Sequence, residues 1–181
     1  MCFDKISLRR EMIEKRIKSA NEENGRAICE RISALKEFAS AKNVMIYMPI
    51  KGEVDVRGLL EKSKTFLTPI TKGNVIYPAL VSENLRKGAF SVPEPLDDTP
   101  FLEKIDIVIV PGVAFGRDFN RLGFGKGYYD RFLNGKTALK IGVCHSFQLL
   151  DSVPKDAHDV RMDIIITEEE TLWNKENTLS G

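Results

Sequence analysis

IDIVIVPGVAFGRDFNRLGFGKGYYDRFL, residues Ile105–Leu133, sets the expectation for the fold. Ile105–Val110 is an apolar, β-branched run of strand length. Pro111-Gly112 signals a turn after it. Gly127–Leu133 reads as a short helix that opens beside a glycine loop. Within the loop, Gly123, Gly125 and Gly127 take alternate positions, with Arg121 and Lys126 among them. Glycines lack a Cβ and let a ligand approach the backbone amides. Cations beside such a loop suit a polyphosphate, and a carboxylate such as Asp130 suits its metal. The loop is no Walker A motif, because Gly127 stands where Ser or Thr is needed. It also fails the dinucleotide fingerprint, where Tyr128 replaces the third glycine. From composition alone it is either a nucleotide-phosphate site or a tight loop before a helix.

Residues 3–38 read as two helices. Leu8, Met12 and Ile13 recur at helical spacing, as do Ala27, Ile28, Ile32 and Leu35, with a break at Asn21–Gly25. Val44–Met48 is a buried strand ended by Pro49, and Asp55 caps a helix running to about Lys64. Val75–Ala79, Leu139–Cys144 and Asp163–Thr167 are further strands. Strands alternating with helices imply an α/β fold with a mainly parallel sheet. The expectation is a single three-layer α/β/α domain over residues 1–181, with an N-terminal helical pair. Ligands in such sheets sit beyond the carboxyl ends of the strands, where the glycine loop lies.

The bulk properties narrow the function classes. The formal net charge is +1 in 181 residues, and basic residues alternate with Glu, so a nucleic-acid partner is not expected. Cys2, Cys29 and Cys144 form neither a CxxC motif nor an even disulfide framework, which suits a reducing compartment. MCFDKISLRREM is charged from its fourth residue and is no secretory signal. The apolar runs are too short to span a bilayer. A cytoplasmic monomer without a membrane partner is the expectation.

RLGFGKGYYDRF (Arg121–Phe132), preceded by VPGVAF (Val110–Phe115), resembles the signature of the 5-formyltetrahydrofolate cyclo-ligase family. KISLR (Lys5–Arg9), YMPIKGEVDV (Tyr47–Val56), VPEP (Val92–Pro95) and HDVRMDIIITE (His158–Glu168) resemble further family elements, in family order. The resemblance implies an ATP- and Mg²⁺-dependent ligase. Phosphorylation of the formyl oxygen of 5-formyltetrahydrofolate is followed by attack of N10, giving 5,10-methenyltetrahydrofolate, ADP and phosphate. Many members carry Asp where this chain has Gly116 and Gly where it has Phe119, so a different loop is expected over 116–120, with no role for Asp118.

The resemblance also implies roles. Lys5 and Arg9, one helical turn apart, touch ATP phosphates; as an isolated pair they would be exposed helix cations. Arg121 and Lys126 contact phosphates, with backbone from Leu122, Gly123, Phe124, Gly125, Gly127, Tyr128 and Tyr129 around them. The two tyrosines pack against nucleotide or pterin, or simply in the core. Glu53, with Ile50 nearby, is placed against the folate; otherwise it is a turn carboxylate and Ile50 plain packing. Asp130 and Asp163 are the candidate Mg²⁺ ligands; the alternatives are a helix terminus for Asp130 and a strand start for Asp163. His145 and His158 read as structural or peripheral. Rival functions are a sugar-phosphate isomerase or CoA-transferase type of enzyme, and a non-catalytic nucleotide or folate sensor.

Overall fold

The computed structural model describes residues 4–176; Cys2, the start of the helical reading at residue 3, and residues 177–181 lie outside it. Helix α1 (Lys5–Ser19) buries Leu8, Met12 and Arg16, spaced four residues apart on one face. Helix α2 (Glu22–Ser33) follows at once, because the Asn21 side chain accepts the Asn24 N–H at 2.8 Å and caps it. Gly25 therefore lies inside α2 rather than in a break. A Cβ there would stand 3.3 Å from the Asp55 carbonyl oxygen, so the glycine admits a neighbouring backbone. A short α3 (Lys36–Ser40) leads into β1 (Asn43–Met45), whose strand pairing stops before the expected Met48.

The helix expected from Asp55 to Lys64 is only a 3₁₀ turn, Arg57–Leu59. Asp55 does accept the Arg57 N–H at 3.0 Å. Beyond that turn, Gly58 weakens a helix and Leu60 is exposed, so no apolar stripe sustains one. Strands β2 (Thr65–Lys72) and β3 (Val75–Leu80) form a hairpin. A second hairpin, β4 (Leu85–Lys87) with β5 (Pro93–Pro95), is tied to β2 by the Thr71 N–H, donated to Glu94 Oε1 at 3.0 Å. The remaining strands are β6 (Ile107–Val110), β7 (Ala114–Gly116), β8 (Arg121–Leu122), β9 (Leu139–Val143), β10 (Leu149–Leu150), β11 (Ile164–Ile166) and β12 (Thr171–Trp173). Helix α4 (Tyr128–Leu133) follows the glycine loop.

Seven strands pair in the order β12-β11-β9-β6-β1-β2-β3 among the described residues. The inner pairings are parallel and the two edge pairings antiparallel. Alternation of side chains across the pleat builds a core on each face. Val44, Ile46, Ile107, Ile109, Ile164 and Ile166 join one cluster, with Ile28 and Ile32 of α2. Met45, Val108, Val110 and Ile165 join the other, with Leu133 of α4. The two N-terminal helices serve different surfaces. Leu8 and Met12 of α1 pack with Val113, Ala114, Leu122 and Val153 around the small sheet β10-β7-β8. No helix among the described residues is long and apolar enough to cross a membrane.

Asp163 lies at the amino-terminal edge of this sheet, opposite to the expected metal position. It immediately precedes β11, accepts the Lys140 N–H at 2.8 Å, and pairs with Lys140 Nζ at 2.8 Å. Its side chain is 13% exposed, so it satisfies the start of β9 rather than a ligand. The parallel arrangement separates the two ends of each strand, which puts Asp163 on the wrong side for the glycine loop. We predict that Asp163→Ala destabilises the protein by roughly 1–3 kcal/mol, the usual cost of orphaning a buried donor. Urea denaturation of the variant and parent measures this.

Candidate active site

A cavity of about 360 Å³ opens beyond the carboxyl ends of β1, β2 and β6. Tyr47, Met48, Ile50, Lys51 and Glu53 enter it from the segment after β1, and Pro111 from the end of β6. Pro69 and Thr71 of β2, Ile76 of β3, and Val92 and Glu94 of the second hairpin form one wall. Lys5 and Arg9 of α1 face the loop residues 121–130, and Asp156, His158 and Asp159 close the rim.

The glycine loop is held by arginines. Arg9 Nε donates to the Gly123 carbonyl at 2.8 Å. Gly125 has φ +90°, and a Cβ on it would stand 3.3 Å from Arg9 Cζ, so the guanidinium occupies the space the missing side chain leaves. Gly127, at φ +65°, turns the chain into α4. Arg131 Nη2 ties Lys126 O to Asn74 O, at 2.8 and 2.6 Å, which docks α4 on the β2–β3 turn. Tyr128 Oη reaches Gly73 O at 3.2 Å beside it. Lys126 itself is exposed. Phe124 is also exposed, whereas Leu122 is buried in the α1 cluster.

Arg121 is nearly buried, with 5% of its side chain exposed. Its Nη2 donates to Asp130 Oδ1 at 3.0 Å, while Nε is buried without a partner among the described residues. Such an orphan donor beside a cavity suits a ligand oxygen. The guanidinium lies 5.6 Å from the Tyr129 ring centroid, and Tyr129 Oη is likewise buried without a partner. Burial pushes the Tyr129 hydroxyl above its ordinary pKa, with the Glu53 charge adding to it.

Asp130 also accepts the N–H of Val160, the residue that follows Asp159, at 3.3 Å. Asp159 is the carboxylate of the closing segment that lines the cavity, and its Oδ2 lies 3.8 Å from Lys5 Nζ. Lys5 binds Asp156 more closely, at 2.6 Å. Asp156, His158 and Asp159 offer ligand atoms within 4.8 Å of one another. His158 is exposed on this rim. Asp159 and Asp163 both sit in the segment HDVRMDIIITE, and the strand-adjacent Asp163 is the one the sequence reading assigns to metal. The preceding histidine at the start of that segment is the signal that marks Asp159.

Glu53 occupies a turn in which Lys51 and Gly52 both adopt left-handed backbone, at φ +50° and +74°. The Glu53 N–H closes the turn on Ile50 O at 2.9 Å, and its carboxylate accepts the Ile50 N–H at 3.0 Å. Burial raises the Glu53 carboxyl above its ordinary pKa, opposed chiefly by Arg16. Behind the turn, His145 Nε2 donates to Gly52 O at 3.1 Å and Nδ1 accepts from Asn24 at 3.2 Å. Burial holds this imidazole below its usual pKa, so His145 is a satisfied structural residue.

The departure at Phe119 keeps a glycine-like backbone. Phe119 has φ +66°, and its N–H donates to Gly116 O at 2.8 Å. The side chain packs against the core cluster of α4. Asp118 bonds Asn120 at 2.6 Å and lies outside the cavity lining.

Gly125→Ala separates two costs. A left-handed alanine costs roughly 1–2 kcal/mol, and the new methyl also crowds Arg9. Gly135→Ala is the comparison, because Gly135 has φ +72° with nothing within 4 Å of its virtual Cβ. We expect Gly125→Ala to be the more destabilising of the two in thermal unfolding. Equal losses would show that Arg9 moves away without cost.

Comparisons with known proteins agree with this arrangement. A sequence model of the 5-formyltetrahydrofolate cyclo-ligase family matches residues 3–168. The 5-formyltetrahydrofolate cyclo-ligase of Mycoplasma pneumoniae is 34% identical over 173 residues, covering 92% of this chain and all of that one. A probable 5-formyltetrahydrofolate cyclo-ligase of Schizosaccharomyces pombe is 30% identical over 177 residues, covering 82% of this chain and 85% of its own. The NMR structure of Aquifex aeolicus 5,10-methenyltetrahydrofolate synthetase superposes with a TM-score of 0.84 at 38% identity, covering 94% of this chain and 93% of that one. By sequence over nearly its whole length and by fold, the chain belongs to the 5-formyltetrahydrofolate cyclo-ligase family.

Proposed function

We propose that this protein converts 5-formyltetrahydrofolate and ATP to 5,10-methenyltetrahydrofolate, ADP and phosphate. The observation that carries the proposal is one cavity walled on one side by a cation-held glycine loop and on the other by the buried Glu53 turn. Two unlike substrates, one polyanionic and one flat and heterocyclic, need such opposed walls.

Arg9, Arg121 and Lys126, with Lys5, take the phosphates, and loop amides supply further donors. The buried Nε of Arg121 gives one donor whose partner is the incoming oxygen. Glu53 accepts hydrogen bonds from the pterin, with Ile50 and Met48 as apolar neighbours and Tyr129 across from them. The formyl oxygen attacks the γ-phosphorus and ADP leaves. N10 then attacks the formyl carbon and loses its proton, and the former formyl oxygen departs with phosphate. An amide-like oxygen is a poor leaving group and phosphate a good one, so positioning and charge stabilisation are the main demands.

The carboxylates present fit Mg²⁺. It prefers oxygen ligands and takes one or two carboxylates beside substrate phosphate and water. Asp130 and Asp159 meet that need from adjoining segments of the cavity. Bound there, Mg²⁺ would supply positive charge against the phosphates. Asp163 is no part of this set.

Mixing the protein with 5-formyltetrahydrofolate, ATP and Mg²⁺ and following the near-ultraviolet absorbance of the methenyl product tests the reaction. No product, or full turnover in excess EDTA, overturns the reading or its metal requirement respectively. Asp130→Asn and Asp159→Asn are each expected to raise the Mg²⁺ needed for half-maximal turnover by tenfold or more, whereas Asp163→Asn titrates like the parent. Glu53→Gln is expected to raise the folate KM about tenfold, the cost of one charged hydrogen bond, and to leave the ATP KM within twofold.

A further inference from the structure

Arg16 is the most buried charged side chain among the described residues, and the proposed chemistry leaves it unused. Its side chain is 1% exposed and lies behind the cavity rather than on its lining. Nε donates to Lys51 O at 3.0 Å, on the left-handed residue of the Glu53 turn. Nη1 donates to Gly112 O at 3.2 Å, at the exit of β6, and stands 3.6 Å from Glu53 Oε1. Its outer face lies 5.6 Å from the Phe124 ring centroid, in the glycine loop. One guanidinium thus touches the folate-side turn, a central strand exit and the phosphate loop.

We propose that Arg16 is a positioning residue for folate binding: with its hydrogen bonds to Lys51 O and Gly112 O and its charge beside Glu53, it holds the Lys51–Glu53 turn in the shape that presents the carboxylate. The inference rests on the reading of Glu53 as the pterin contact. Glu53 has few other sources of stabilising charge. Lys51 on its own turn is exposed, and Tyr47 after β1 and Tyr129 of α4 are neutral hydroxyls whose own ionisation the carboxylate opposes. The remaining help is the Ile50 N–H and the charge of the exposed Lys51. Without Arg16, the largest opposition to burial at Glu53 is gone. A protonated Glu53 carries one fewer acceptor and no charge, so it binds pterin donors poorly until the pH is raised.

The test compares folate and ATP KM values between about pH 5 and pH 9 in the parent, Glu53→Gln, Arg16→Met and Arg16→Met/Glu53→Gln. In the parent the folate KM rises on acidification as Glu53 protonates. In Arg16→Met that rise is expected about 1–3 pH units higher, the shift that loss of a nearby opposite charge produces. The folate KM at neutral pH then increases severalfold and falls only part of the way back as the pH rises, because the turn has also lost its hydrogen bonds, while the ATP KM stays within twofold. The double variant should lose the pH dependence, as Glu53→Gln does. An unshifted profile in Arg16→Met, or equal losses for both substrates at every pH, overturns the inference. Glu53→Gln with a parent-like folate KM overturns the Glu53 reading and this inference together. A loss in Glu53→Gln without a shift in Arg16→Met removes the role of Arg16 alone. If Arg16→Met does not fold, Arg16→Lys decides. Its single ammonium cannot serve Lys51 O and Gly112 O while facing Glu53, so the folate KM should rise at all pH values. A parent-like folate KM in Arg16→Lys overturns the positioning role.

Discussion

Where a parallel strand ends inside a protein, its last carbonyls lose their ladder partners and still need donors. In this fold that constraint is met by a buried arginine. Arg16 supplies N–H groups to Lys51 O after β1 and to Gly112 O after β6, the two neighbouring strands at the sheet centre. A buried guanidinium is costly unless its own donors are used; Nε and Nη1 of Arg16 are paired, while Nη2 has no partner among the described residues. Both pairings form where α1 crosses the carboxyl edge of the sheet. That crossing fixes the rest of the helix. Leu8 and Met12 land on the small sheet, and Lys5 and Arg9 face the cavity.

The Phe124 ring closes the same guanidinium from the loop side, and Arg9, two turns earlier, threads the loop itself through Gly123 O. Helix α1 therefore shapes both halves of the cavity. Gly125 is part of this packing as much as part of any phosphate cradle, because its bare Cα faces Arg9. The left-handed Phe119 shows the same economy elsewhere. Its backbone tolerates a conformation that suits glycine, and the ring is compensated by packing on the α4 cluster.

The parallel strands were legible because burial on both faces demands unbroken apolar runs, as in Ile107–Val110 and Ile164–Ile166. The glycine loop and α4 were legible from local chemistry. Strand β2 was not, since TFLTPITK carries Pro69 and alternates with threonine. Its pairing with β1 ends at Leu67, so Pro69 needs no N–H there, and it faces Pro78 across the hairpin. The supposed helix after Asp55 failed because an Asx-type turn satisfies the same cap signal without an apolar stripe behind it. Asp163 failed for a topological reason. Sequence proximity to a strand does not say which end of the sheet a residue occupies. Arg16 carried a readable sign, a charge at the four-residue spacing of Leu8 and Met12, but its partners come from turns that only the tertiary fold brings together.

The cavity's charges are already balanced against one another. Lys5 rests on Asp156 and near Asp159, and Arg121 rests on Asp130. These pairs keep the cations oriented and keep like charges from crowding one wall. On the proposed reading, a polyphosphate with its metal replaces both halves of each pair. Phosphate oxygens take the cations, and the metal takes the carboxylates. Neither sign is then left desolvated without a partner, which is the main cost of burying charge. A metal-free polyphosphate would gain the cations but bring its own charge against Asp130 and Asp159. On that reading the arrangement favours nucleotide and metal as one ligand over either alone, through the pairing of side chains before any chemistry begins.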